Sequence, residues 1–209
     1  MEVILWTVIG FFSGAVPYSI LIGRIVGGLD IRDYGEDANP GAANVGKSLG
    51  PVWAGLAGLL DGLKAAIPVG IAHFVLGITG WGLVPIALAP VLGHAYSPFL
   101  RFKGGKAVAA TFGTWSGLTI GVAPTLMGLL LRVWFAVLKV SGWSVLAMWG
   151  CFGLFVLLYY RSPVWMVIWA GNLVVWIIKY RDDLREPLAV REGLLNRASR
   201  LLGREAPAP

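Results

Sequence analysis

The segment Gly93-His-Ala-Tyr-Ser-Pro-Phe-Leu-Arg-Phe-Lys-Gly-Gly-Lys106 carries the strongest chemical signal in the chain, because it sets two glycines between two lysines where a polar loop runs into an apolar stretch. Glycines at a helix N-terminus let backbone N–H groups converge on an anion, the helix dipole favours negative charge, and flanking ammonium groups add point charges. Lys103, Gly104, Gly105 and Lys106 thus outline a phosphate site. The segment is not a Walker A loop: no Gly stands five residues upstream of Gly104, and Ala107 follows Lys106 in place of Ser or Thr. The competing reading is a charged loop that only fixes membrane topology. Asp61 and Lys64 lie on one helical face of another apolar stretch, where a charge costs about 2.5–3.5 kcal/mol at a bilayer centre. They must therefore face the inside of a bundle, either as a self-contained ion pair or with Asp61 orienting Lys64 towards a cavity. His94 has the side chain of a general base, or of a hydrogen-bonded structural residue; His73 has no polar companion nearby in sequence. The loop Asp30–Lys47 is too rich in Gly, Asn and Pro for a helix through its middle, and Asn39 and Asn44 give it neutral donors suited to a binding platform.

These groups need a scaffold, and the composition defines it. In 209 residues, 57% are apolar and only 13% charged, with a mean hydropathy of +0.74, which excludes an ordinary soluble domain. Long apolar runs between short charged loops predict an all-α integral membrane bundle of seven transmembrane helices: residues 3–28, 52–77, 81–96, 106–122, 124–140, 143–160 and 163–178. The first run has no small-residue cleavage site and continues through Pro17 to Arg24, so an uncleaved helix is expected. Lys and Arg collect in cytoplasmic loops. An external N-terminus puts Arg32, Lys47, Arg101, Lys103, Lys106, Lys139 and the basic residues from Lys179 to Arg204 inside, and leaves Arg161 outside. The net charge of +6 then reports topology, with no basic-aromatic pattern for nucleic acid. The 29 Gly and 10 Trp suit close helix contacts and interfacial anchoring. Cys151 stands alone, so no internal disulfide or cysteine-based metal site is expected. After Pro187, Leu194, Leu195, Ala198, Leu201 and Leu202 recur at helical spacing with Arg191, Arg197, Arg200 and Arg204 largely off the stripe, which predicts a membrane domain over residues 1–186 and an amphipathic helix on the inner leaflet within 187–209.

Taken together, these segments resemble the bacterial acyl-phosphate:glycerol-3-phosphate acyltransferase family. The resemblance rests on Gly14-Ala-Val-Pro-Tyr-Ser-Ile-Leu-Ile-Gly-Arg24, Asp30-Ile-Arg32, Asn39-Pro-Gly-Ala-Ala-Asn-Val45, Asp61-Gly-Leu-Lys64 with Pro68-Val69, and Gly93-His94 through Lys106, and reaches to about Leu188. It implies seven membrane helices in the inner membrane of a bacterium with a cytoplasmic active site. It implies transfer of a fatty acyl group from acyl phosphate to the primary hydroxyl of glycerol 3-phosphate, giving lysophosphatidic acid and phosphate. An acyl phosphate is already activated, so the resemblance implies no metal and no cofactor. Carried over by motif, it assigns Lys103, Asn44 and Asp183 to the reacting centre, and Gly104, Gly105, Lys106, Lys64, Asn39, Lys47, Arg24 and His94 to holding the phosphates.

Several positions depart from the family pattern. The usual Gly-Ser-Gly-Asn-x-Gly-Ala-Thr-Asn becomes Gly35-Glu-Asp-Ala-Asn-Pro-Gly-Ala-Ala-Asn44, with one residue inserted, acids for Ser and Ala43 for Thr. An Arg becomes Lys47, which lacks the bidentate fork. Glycines become Ala65 and Ala107, and a His and an Asn near the end become Tyr180 and Asp183. Two functions fit this pattern: an acyltransferase with an altered site, and a catalytically impaired paralogue that binds lipid-related phosphates as a regulatory membrane protein.

Overall fold

Gly41, Gly50 and the prolines at 51 and 163 punctuate the chain into helices, since Pro is tolerated in a first turn and Gly supplies the backbone between turns. The computed structural model describes residues 1–35 and 37–193. Among them the α-helices are α1 (Glu2–Ala15), α2 (Tyr18–Gly27), α3 (Ala42–Leu49), α4 (Pro51–Gly70), α5 (Leu83–Ala95), α6 (Val108–Thr119), α7 (Val122–Val137), α8 (Ser141–Phe155) and α9 (Pro163–Lys179). A helix stands in each of the seven predicted apolar stretches. Four segments are long and apolar enough to cross a bilayer, namely Glu2–Gly27, Pro51–Val75, Gly80–Leu100 and Ser141–Tyr160. Helices α7 and α9 are apolar but shorter. The protein is thus an all-helical, multi-pass membrane protein.

Two local expectations change. The first stretch is two helices, because Pro17 has no N–H to continue the ladder and α1 ends at Ala15. The freed carbonyls find other donors: Ser97 Oγ donates to Ala15 O at 2.6 Å, and Lys64 Nζ to Val16 O at 2.6 Å. The second change is α3, which occupies the last part of the Asp30–Lys47 loop. The loop's middle is irregular as expected, and a short 3₁₀ turn over Ile31–Tyr34 begins it.

Small residues let the helices approach. A Cβ on Gly113 would overlap the Gly62 carbonyl, and one on Gly117 would come 2.7 Å from Ala66 O, so α4 and α6 meet backbone to backbone. Gly14 against Pro90 and Gly93 against Phe11 do the same for α1 and α5. Such contacts drive helix association in lipid, where apolar burial alone offers little. Three of the tryptophans lie away from the interface expected of them. Trp115, Trp149 and Trp176 are fully buried with Phe152 between α6, α8 and α9, and the indoles of Trp149 and Trp169 each donate to the other's backbone carbonyl, at 3.2 and 3.0 Å. These rings fill the bundle core instead of anchoring at its rim. His73 also finds a partner, its Nδ1 lying 3.2 Å from Ile78 O.

At one end of the bundle, Lys139 N–H donates to Ala189 O and Arg191 N–H to Val137 O, so the start of the predicted tail is tied to the end of α7. Its amphipathic part, residues 194–209, lies outside the described residues.

Candidate functional site

The loop before α3, the approach to α6, the start of α8 and the exit from α9 come together at that same end. They enclose a polar cavity of about 640 Å³ that three lysines (Lys47, Lys106, Lys139) share with four acids (Asp37, Asp182, Asp183, Glu186). Lys106 is its centre. Its Nζ lies 2.9 Å from Asp37 Oδ2 and 2.9 Å from Asp183 Oδ1, and 4.5 Å over the Tyr180 ring. Asp183 is held in turn by Ser141, whose hydroxyl donates to Oδ2 at 2.6 Å. Burial works to lower the Lys106 pKa, but hydrogen bonds to Asp183 and Asp37 outweigh it and hold the ammonium above the ordinary lysine range. Burial likewise raises the Asp37 carboxyl, and Lys106 more than offsets this, leaving it below the usual carboxylate range. Burial first, then the two aspartates, push the Tyr180 phenol well up, so it stays neutral and cannot exchange protons near neutral pH as a histidine would.

The polar loop is shaped by its asparagines. Asn44 is 2% exposed and its Nδ2 donates to Asn39 O at 2.8 Å, while Asn39 Oδ1 accepts from Lys106 N–H at 3.1 Å. A Cβ on Gly35 would overlap the Asn44 amide, so glycine is required there for packing. Ala38 and Ala107, at two positions where the family pattern has glycine, adopt φ of +48° and +61°. An alanine in this left-handed region costs about 1–2 kcal/mol, which explains the family's glycine and marks a strain this chain carries.

The structure sorts the predicted residues. Asn39, Asn44, Lys47, Lys106 and Asp183 all line the cavity. Gly104 and Gly105 are buried beneath it, and the Gly105 N–H is directed to His94 O at 3.1 Å instead of towards an anion. Lys103 is exposed and outside the cavity lining, because left-handed Arg101 and Phe102, at φ +52° and +63°, turn the chain just before it. Arg24 is 62% exposed and lies 3.9 Å from Asp30; hydrogen bonds from Arg32 bring the Asp30 carboxyl down to about 2, against the opposing effect of burial. Lys64 is spent inside the bundle on Val16 O and on Asp61 Oδ1, the latter at 2.6 Å, with Ser19 donating to the other Asp61 oxygen at 2.8 Å. Asp61 and Lys64 thus pair with each other, the bond to Val16 O splices the break at Pro17, and Asp61 also borders a second cavity. Ser141, Lys139 and Lys179 are additions that sequence reading missed, since nothing but tertiary juxtaposition marks them.

A second, largely apolar cavity of about 410 Å³ adjoins the first, sharing Asn39, Ala43 and Lys106 and reaching Asp61 and His94. His94 Nδ1 is buried without a hydrogen-bond partner among the described residues, 3.9 Å from Asp61 Oδ1. Ala109 and Phe112 are shared between this cavity and an apolar groove of about 330 Å³ between α4 and α6. The groove opens beside Leu59, which is 57% exposed on the bundle surface.

The sequence model of the family described as glycerol-3-phosphate acyltransferase matches residues 4–189. A glycerol-3-phosphate acyltransferase of Lacticaseibacillus casei (strain BL23) is 30% identical over 205 residues, covering 93% of each chain. One from Aquifex aeolicus (strain VF5) is 32% identical over 197 residues, covering 92% of this chain and 98% of its own. In three dimensions the chain is similar to the crystal structure of PlsY, an integral membrane glycerol 3-phosphate acyltransferase, in its glycerol 3-phosphate form, with a TM-score of 0.79 at 25% identity over 100% of this chain and 96% of that one.

Proposed function

Since the chain belongs to the glycerol-3-phosphate acyltransferase family, and is an enzyme that transfers an acyl group to glycerol 3-phosphate, we propose that its donor is an acyl phosphate and that the two substrates meet at Lys106. The observation that carries this is that the three spaces adjoin one another through shared wall residues. A polar cleft that holds three lysines touches an apolar cavity at Lys106, and that cavity shares Ala109 and Phe112 with a groove that this reading takes as membrane-facing. An amphiphilic donor fits this shape, with its phosphoryl end at Lys106 and its tail in the groove. The primary hydroxyl attacks the acyl carbon, the bond from that carbon to the phosphate oxygen breaks, and phosphate departs with the bonding pair and takes the hydroxyl proton. Lys106 stabilises the charge on the leaving group, with Lys47 and Lys139 placed for the acceptor phosphate. Asn44 fixes the loop on which the acceptor rests. Acyl transfer is favoured over a binding paralogue by the company of named acyltransferases along nearly the full chain.

The same reading takes all seven helical stretches as membrane spans, with the N-terminus outside and the cleft at the cytoplasmic face of the bacterial plasma membrane. Lys47, Lys106 and Lys139 line the cleft, and this supports a cytoplasmic cleft because basic residues collect in cytoplasmic segments.

Ala109→Leu tests the path of the tail. Added bulk in a filled space costs about 1–3 kcal/mol, so kcat/KM for palmitoyl phosphate should fall about tenfold while a butyryl phosphate, too short to reach the neck, changes less than about twofold. Equal losses for both donors would contradict the path.

A further inference from the structure

We infer that Lys179 is a positioning residue of the acyl transfer reaction, one that fixes the backbone of the Gly104–Gly105 turn instead of binding a substrate phosphate. The inference rests on the acyltransferase reading for its kinetic consequence and on geometry for its substance. A lysine beside an anion cavity would ordinarily be assigned to the anion. Here Lys179 Nζ donates to Gly104 O at 2.7 Å and to Ala95 O at 3.0 Å, with the Tyr96 ring centroid 5.4 Å away, and Lys179 is outside the lining of the polar cavity.

The two acceptors explain the arrangement. Helix α5 ends at Ala95, and the last carbonyls of a helix have no partner in their own ladder. Leu92 O receives the Tyr96 N–H at 2.8 Å, His94 O receives the Gly105 N–H at 3.1 Å, and Ala95 O receives Lys179. A cation at a helix C-terminus also meets the negative end of its dipole. The Gly104–Gly105 peptide is consequently held on both edges, its carbonyl by Lys179 and its N–H by His94. The following N–H, of Lys106, is oriented by Asn39. The turn that aims the Lys106 side chain is thereby set before substrate arrives. A Cβ at either glycine would overlap His94, so the turn packs directly against the end of α5.

The test compares full-length wild type with Lys179→Met, which keeps the length of the stem and removes the donors, and with Lys179→Arg, which restores donors and charge. Amide hydrogen exchange across residues 96–110 should speed up about tenfold or more in Lys179→Met and return towards wild type in Lys179→Arg, with residues 122–137 unchanged. In the palmitoyl phosphate and glycerol 3-phosphate assay, kcat should fall about fivefold in Lys179→Met with both KM values within about twofold. Unchanged exchange in the loop would overturn the inference, as would a rise in KM for either phosphate without loss of kcat, which would make Lys179 a ligand. Faster exchange in Lys179→Met, alongside a wild type that forms no product, would uphold the pinning of the turn and overturn the acyltransferase reading instead. If Lys179→Met does not fold, the same comparison is made with Lys179→Gln, whose amide can still donate to one carbonyl and should give an intermediate exchange rate.

Discussion

Lys106→Met is expected to lower kcat/KM for acyl transfer by about 10²–10³-fold, the range found when a single preorganised donor to a developing charge is removed. Three features put the loss at this scale. Among the described residues Lys106 is the one lysine shared by the polar cleft and the apolar cavity, which places it to meet the phosphoryl group of a donor whose tail lies in the groove. Its loss also leaves Asp37 and Asp183 without the ammonium that lies 2.9 Å from each, and two unpaired carboxylates then face the incoming phosphates. The Lys106 backbone is held by Asn39, so the side chain can be removed without moving the loop. Lys103→Met serves as the control: that side chain is exposed, and its removal should change kcat/KM less than about threefold, as for other exposed charges. A large loss in Lys103→Met with a small one in Lys106→Met would reverse the assignment.

Asp37→Asn combined with Asp183→Asn is expected to raise kcat/KM for glycerol 3-phosphate by about 10–100-fold. In the free cleft the two aspartates occupy the ammonium that a substrate phosphate needs, and they repel that phosphate. A unit charge a few ångströms away is worth on the order of a few kcal/mol at an effective dielectric constant of about 20, and each 1.4 kcal/mol is tenfold. The amides preserve shape: at position 183 one side-chain oxygen can still accept from Lys106, and the amide nitrogen that replaces the other oxygen can donate to the Ser141 hydroxyl. A change of pH cannot substitute for these mutations. Asp37 is depressed, so what it contributes to stability is complete above its ordinary pKa of about 4 and lost only as pH falls through its lower folded value. Lys106 is raised, so its contribution is complete below about 10.4 and lost only as pH rises through its higher folded value. The Asp37–Lys106 pair therefore persists across the whole neutral range, and kcat/KM from pH 6 to 9 should show no limb from either group. A double variant less active than wild type would mean that the carboxylates take part in the chemistry instead of restraining it.

The parts of this molecule that depend on local pattern were readable from the chain. Apolar runs between charged loops marked the places of all the long helices, and the Gly-Gly-Lys sequence marked the centre of the site. What was not readable depended on direction or on distant partners. Lys103 and Lys106 are equivalent in composition, and only the two consecutive left-handed residues at 101 and 102 turn one outward while Asn39 draws the other in. Asp61 and Lys64 share a helix face, as their spacing required, but the break at Pro17 decides that Lys64 is used on Val16 instead of on a ligand. Helix α3 was hidden because Ala-Ala-Asn-Val-Gly-Lys-Ser-Leu has weak intrinsic preference and forms against α4. Ser141 and Lys179 sit far in sequence from the residues they touch, Asp183 in one case and Gly104 in the other, and no spacing rule connects them. The departures at Asp37, Tyr180 and Asp183 were visible one by one, whereas their convergence on a single ammonium was not.

The most direct measurement is product formation by purified, detergent-solubilised full-length protein given palmitoyl phosphate and glycerol 3-phosphate, with lysophosphatidic acid and inorganic phosphate both quantified. Lysophosphatidic acid and phosphate released in a one-to-one ratio, only when both substrates are present, is the result expected of an acyl phosphate-dependent transferase. Binding of both phosphates without lysophosphatidic acid, or phosphate release that does not depend on glycerol 3-phosphate, would contradict it.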